Sequence, residues 1–130
     1  MSRLVIDASA YFPMAVLGTV PEQLAAFELV GPALLWSETL SALREAVWRG
    51  ALAEPDANAA VARLDTLGVA RVSEPRLGAI AYELAGDLGW AKTYDAEYVA
   101  LAKLLDAKLL TRDARLRRGA HRVVEFYEPG

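Results

Sequence analysis

The sequence predicts a three-layer α/β/α fold, with a central parallel sheet of four to five strands between two layers of helices. Two observations carry this reading. Short apolar runs alternate along the chain with longer segments whose apolar residues recur at helical spacing, which is the signature of βαβ units and a parallel sheet covered on both faces. No internal repeat, linker or low-complexity tract interrupts that alternation, so residues 1–130 read as a single domain.

The elements follow in order. Leu4–Ile6 reads as the first strand, ending at Asp7, and part of Ser9–Leu17 as the first helix. A faint likeness of the opening residues to a signal peptide is set aside, because Asp7 and Pro13 break the apolar run. Pro21 is expected to start a helix that runs to about Val30. After Gly31-Pro32, Ala33–Trp36 reads as the second strand. Ser37 then reads as the N-cap of a helix to about Arg49, with Glu38 in its first turn and Leu40, Leu43 and Val47 facing inward. Pro55–Leu67 is a further helix with Val61 and Leu64 inward, and Val69–Val72 a third strand. Leu77, Ile80, Ala81, Leu84 and Leu88 line an amphipathic helix that stops near Gly89. In Thr93–Asp113, Tyr98, Leu101, Ala102 and Leu105 share one helical face, and Ala107–Thr111 is a short buried strand. A basic helical turn ends at Gly119, and Val123–Phe126 is the last strand.

Composition excludes whole classes of chemistry. At 55% hydrophobic and 24% charged residues the chain is an ordinary soluble globular protein. It has no cysteine, hence no disulfide framework, zinc–thiolate site or thiol nucleophile. No uninterrupted apolar run approaches the roughly 18 residues that cross a bilayer, and the cytoplasm is the expected location. A net charge of −3 argues against a protein that coats nucleic acid generally. The C-terminal fifth is nevertheless basic: Arg112, Arg115, Arg117, Arg118, His121 and Arg122 crowd beside Asp113. This segment is either a solvated turn or a phosphate-contacting patch next to an acidic site.

The chemistry centres on four carboxylates. Asp7 ends the first strand, Glu38 lies at the start of the helix after the second, and Asp95 opens the helix of the 93–113 unit. Asp113 follows that unit's strand. All four are thereby expected at one edge of the sheet, where open α/β sheets bind their ligands. Each alone has a structural explanation, since acids suit turns and first helical turns. Together they repel and raise one another's pKa values, and a hard divalent cation with oxygen ligands relieves that repulsion. With a single histidine, His121, placed among arginines, and no cysteine, a mechanism built on paired histidines or a thiol has no residues to work with.

The order of Asp7 in VIDASA, Glu38 in WSETLSALREAVWRG, Asp95 in YDAEYVALA and Asp113 in LLTRD resembles the PIN-domain nucleases. It is similar in particular to the toxin subunits of VapBC toxin–antitoxin pairs, and the likeness spans nearly the whole chain. The resemblance implies that Asp7, Glu38, Asp95 and Asp113 form a catalytic site binding one or two Mg²⁺ or Mn²⁺ ions, where water attacks an RNA phosphodiester. It further implies supporting roles for the hydroxyls of Ser9 and Thr111, a cognate antitoxin as partner, and a homodimer. On that reading Arg112, Arg115 and Arg118 are the candidate RNA-binding residues, with the antitoxin as the alternative occupant of the basic segment. Trp36 is expected in the core, and Trp48, beside Arg49, is the better interface candidate.

Rival readings fail on particular residues. A haloacid-dehalogenase phosphatase needs a second aspartate where Ser9 stands. A receiver domain needs paired acids after the first strand and a late lysine, and Arg112 does not replace that lysine. No glycine-rich phosphate loop is present. The alternative from another class is a PIN-like scaffold without catalysis that acts only by binding a protein partner, and metal-dependent RNA cleavage separates the two.

Overall fold

The computed structural model describes residues 1–129. Four strands, β1 (Ser2–Ile6), β2 (Phe27–Gly31), β3 (Ala70–Arg71) and β4 (Lys108–Leu110), pair in parallel in the order β3-β2-β1-β4. Six helices accompany them: α1 (Ala8–Leu17), α2 (Leu34–Trp48), α3 (Glu54–Arg63), α4 (Leu77–Leu88), α5 (Tyr94–Leu105) and α6 (Ala114–Ala120).

The chain moves outward from β1 to β2 to β3, then crosses back to β4 on the other side of β1. Parallel crossovers are right-handed, so that reversal sends the connecting helices to opposite faces. The packing agrees: α1, α2 and α3 lie against one another, while α4 packs on α5 and α5 on β1 and β4. The result is the expected three-layer α/β/α fold. The reversal also creates a switch point between the carboxyl ends of β1 and β4, the place where such sheets open a crevice. Asp7 sits there, its backbone N–H donating to the Leu110 carbonyl at 3.2 Å.

The core follows the period of each element. Leu4, Val5 and Ile6 are wholly buried, as a strand covered on both faces requires. Leu77, Ala81 and Leu84 bury one face of α4, and Tyr98, Leu101 and Ala102 one face of α5. Trp36 is in the core as expected, edge-on to Tyr11 with the Arg71 guanidinium over its ring. Trp48 is exposed. No helix among the described residues is long and apolar enough to cross a membrane.

Several boundaries differ from the sequence reading. Pro21 starts only a single 3₁₀ turn, Glu22–Leu24, and the second strand is Phe27–Gly31. Glu22–Ala26 favours helix locally, but Leu29 and Val30 pair with Leu4 and Val5 and are buried there, and that tertiary gain overrides a weak propensity. The segment Ala33–Trp36, expected as a strand, instead begins α2. Its N-cap is Ala33, Ser37 lies inside the helix, and Glu38 is in the second turn. Gly31 permits this abrupt change, because a Cβ there would come within 2.5 Å of the Leu35 side chain. The buried stripe of α2 is accordingly Leu35, Thr39, Leu43 and Ala46; Leu40 is exposed and Val47 half-buried.

The helix expected over Pro55–Leu67 ends at Arg63, and its inward residues are Ala57 and Ala60, with Val61 exposed and Leu64 buried just beyond its end. The third strand shortens to two residues. The last strand, expected over Val123–Phe126, reduces to one parallel bridge between Phe126 and Leu109.

Candidate active site

The switch-point crevice is built from the ends of several elements. Asp7 is the N-cap of α1 and the most buried of the four acids, at 6% exposure. Its Oδ1 accepts from Ser9 Oγ at 2.6 Å and from the Ala10 N–H at 3.2 Å, and its Oδ2 accepts from Thr111 Oγ1. Each hydroxyl has one proton, and both are committed to Asp7. Ser9 and Thr111, 3.2 Å apart, therefore serve one another only as neighbours. Their lone pairs in turn accept from the backbone of the following loop: Arg112 N–H donates to Ser9 Oγ and Asp113 N–H to Thr111 Oγ1. The pair of hydroxyls thus ties the turn after β4 to the turn after β1.

Asp113 is the N-cap of α6, its Oδ1 accepting from the N–H groups of Arg115 and Leu116. Glu38, from α2, accepts the Tyr98 hydroxyl on Oε1. Asp95 stands in the first turn of α5. Glu38 and Asp95 line one cavity of about 530 Å³, together with Trp90, Lys92, Tyr94 and Arg115.

The electrostatics tie the acids into one neighbourhood. Burial pushes the Asp7 carboxyl above its ordinary pKa, against the hydrogen bonds from Ser9, Thr111 and Ala10, and Asp95 repels it further. Burial also raises Glu38, opposed by the Tyr98 bond and reinforced by the charges of Asp95, Asp7 and Glu97. Asp95 is raised by burial and then by Asp113, with Arg115 acting the other way.

Among the described residues, no three acids converge into a ready-made ligand cluster. The physical reason is visible in the bonding: Asp113 is turned to its helix, Glu38 to Tyr98, and like charges stay apart. The donor chemistry still fits a hard divalent cation. All four side chains offer oxygen, and Mg²⁺ keeps several waters and needs only one or two direct carboxylates.

The basic residues separate. Arg115 faces the acidic cavity. Arg112 lies on the other side of Ser9, where it lines a groove with Arg49 and Glu45. Arg117 Nη1 donates to both carboxylate oxygens of Glu128, and Arg118 is exposed on α6. His121 is exposed and lines a cleft with Lys103, Asp106 and Lys108, at the opposite edge of the sheet.

The sequence reading missed two neighbours of the site. Tyr98 was assigned to the core by its spacing; it is buried, but its hydroxyl also holds Glu38. Glu97, half-buried in the first turn of α5, adds to the charge on Glu38. Only the polar tip of an otherwise apolar position carried the first signal.

With this geometry in place, comparison with known proteins identifies the class. The PIN-domain family model matches residues 12–122, so the chain belongs to the PIN-domain family. The matched span begins after Asp7. Over 116 residues the chain is 36% identical to a VapC ribonuclease of Mycobacterium bovis, covering 87% of each protein. Its fold is similar to that of PAE2754 from Pyrobaculum aerophilum, with a TM-score of 0.72 at 21% identity over 95% of this chain and 83% of that one. FitAcB from Neisseria gonorrhoeae superposes with a TM-score of 0.60 at 18% identity, covering 95% and 96%.

Proposed function

We propose that residues 1–130 form one nuclease domain, a metal-dependent endoribonuclease that hydrolyses RNA phosphodiester bonds as the toxin of a toxin–antitoxin pair. The observation that carries this reading is the placement of Asp7, Glu38, Asp95 and Asp113 around one sheet-edge crevice. There, burial and mutual repulsion raise Asp7, Glu38 and Asp95. The VapC ribonuclease relative supports the choice of RNA as substrate, and with it the cytoplasm as the place of action and an antitoxin as partner. A homodimer belongs to the same reading.

Asp7, Asp95 and Asp113 would hold Mg²⁺ or Mn²⁺, and Glu38 would complete the set of carboxylates. When bound, the metal supplies Lewis-acid activation of water and neutralises charge that develops on the phosphate. Ser9 and Thr111 favour the ionised form of Asp7, against its burial, and fix its orientation by donating to both of its oxygens. Tyr98 favours the ionised form of Glu38 through its single bond to Oε1. Arg115, beside Asp95, is placed to meet a phosphate that enters the crevice. Arg112 and Arg118 extend the backbone contact to either side.

Asp7→Asn keeps the side-chain shape and removes its charge. RNA cleavage dependent on added Mn²⁺ is expected to fall by more than about 100-fold, with the circular dichroism of the folded protein unchanged. Cleavage at the parent rate by this variant, or in excess chelator, would overturn the reading.

A further inference from the structure

The cavity that holds Glu38 and Asp95 has a second wall with no part in the metal chemistry. Trp90 and Tyr94, from the loop between α4 and α5 and the first turn of α5, supply aromatic rings, and Lys92 and Arg115 supply charge. Tyr94 is 52% exposed and Lys92 and Arg115 are exposed. Among the described residues neither cation has a salt-bridge partner.

The wall is built rather than incidental. Gly89 closes α4 with φ 73°, and the Trp90 N–H returns to the Ala85 carbonyl at 2.8 Å, which fixes where the indole leaves the helix. The ring then lies over Gly119 of α6, so close that a Cβ there would stand 3.0 Å from Trp90 Cζ2. Gly119 is four residues after Arg115, on the same helical face. Packing Trp90 on α6 therefore places the aromatic wall along the face that carries Arg115.

We propose that this wall is a nucleotide subsite: Tyr94, in the cavity that Trp90 also lines, stacks a base of single-stranded RNA while Lys92 and Arg115 hold its phosphates. The inference rests on the ribonuclease reading and names how the substrate is held. A cavity of about 530 Å³ has room for a nucleotide. Its mixture of rings and cations suits a ligand with an apolar face on an anionic chain. An unpaired strand offers both, whereas a duplex hides its base faces in the stack. The acids of the site repel RNA, so attraction has to come from their rim, and this wall supplies it.

The test uses the intact chain with Asp7→Asn, which binds without cutting, and measures affinity for short oligo(A), oligo(C) and oligo(U) and for inorganic polyphosphate, an anionic chain without bases. Tyr94→Ala is expected to weaken the oligonucleotides by about tenfold or more and leave polyphosphate unchanged, while Tyr94→Phe binds as the parent does. Lys92→Gln is expected to weaken both ligands. Oligonucleotide binding indifferent to Tyr94→Ala, or loss of polyphosphate binding in that variant, would overturn the subsite while leaving the nuclease reading in place. Tyr94→Ala that instead weakens only a protein partner would make the wall a protein-docking face and overturn it equally. Failure of the Asp7→Asn chain to bind any oligonucleotide, with no cleavage by the parent, would remove the nuclease reading and the subsite with it.

Discussion

The hydroxyl of Tyr98 donates to Oε1 of Glu38 at 2.5 Å, linking α5 to α2 across the candidate site. The phenol is buried and its pKa is pushed upward, by desolvation first and then by this bond, so it acts as a fixed donor at any working pH. The bond favours the ionised form of Glu38 and works against its burial. Tyr98→Phe is therefore expected to raise the Glu38 pKa further and move the acid limb of the pH–rate profile to higher pH. The stability cost should be about 1 kcal/mol, since Glu38 is half-exposed and water can replace the lost donor. An acid limb that stays in place would take Glu38 out of the reaction.

Asp7 makes a prediction about the metal-free protein. Its carboxyl is raised above the ordinary value, chiefly by desolvation, so between the unfolded and folded pKa values the native state holds more protons than the unfolded one. Stability then falls as pH rises through that window. Asp7→Asn lacks this term. In chelator, its melting temperature should exceed that of the parent at neutral pH, and the difference should shrink toward zero as pH drops below the unfolded carboxylate pKa. Added Mn²⁺ should stabilise the parent and not the variant. A difference that is constant across pH would mean the Asp7 charge is not the source of the stability gain.

Thr111 holds two turns together, donating to Asp7 and accepting from the Asp113 N–H. Thr111→Val keeps the volume but leaves one oxygen of a buried carboxylate and one backbone donor unpaired. We expect a loss of about 1–3 kcal/mol in denaturant titration and a fall in cleavage of about 10–100-fold. Thr111→Ser, which restores the hydroxyl, should recover most of both. Equal behaviour of the two variants would show that the hydroxyl does not carry the effect.

What could be read from the sequence divides along a physical line. The places of three acids in the fold were legible because each stands beside a strong local signal: Asp7 after Leu4–Ile6, Asp95 before the helical stripe of Tyr98, Leu101 and Ala102, and Asp113 after a buried strand; Glu38, expected in a first turn, lies in the second turn of α2. The segment 21–36 was misread because Glu22–Ala26 carries helix-forming residues, whereas Phe27–Val30 gains its stability from β1, at a separation no local pattern reports. Asp7 and Thr111 meet through a hydrogen bond between residues 104 apart in sequence. The closure of Tyr98 on Glu38 was hidden for the same reason, and also because a tyrosine on an apolar stripe reads first as core.

The last prediction concerns the basic segment, whose arginines the fold treats unequally. Arg117 is occupied by Glu128, whereas Arg115 faces the acidic cavity and Arg118 lies one helical turn further on α6. If these two hold the RNA backbone, they contribute affinity through counterion release, with a slope of about −0.7 in log affinity against log salt for each single-strand contact. Arg115→Gln and Arg118→Gln, each measured in the Asp7→Asn chain, should weaken binding of a short oligonucleotide and reduce that slope by about 0.7 per substitution. In the otherwise unaltered enzyme, Arg118→Gln should raise the RNA concentration needed for half-maximal cleavage with little change in the saturated rate. Arg115→Gln should in addition let Asp95 hold its proton to higher pH, because Arg115 is the cation that lowers it. Arg117→Gln is the internal control: its guanidinium is already paired, so the slope should not move. A slope that falls for Arg117 and not for Arg115 would place the RNA path on the far side of α6, away from the cavity.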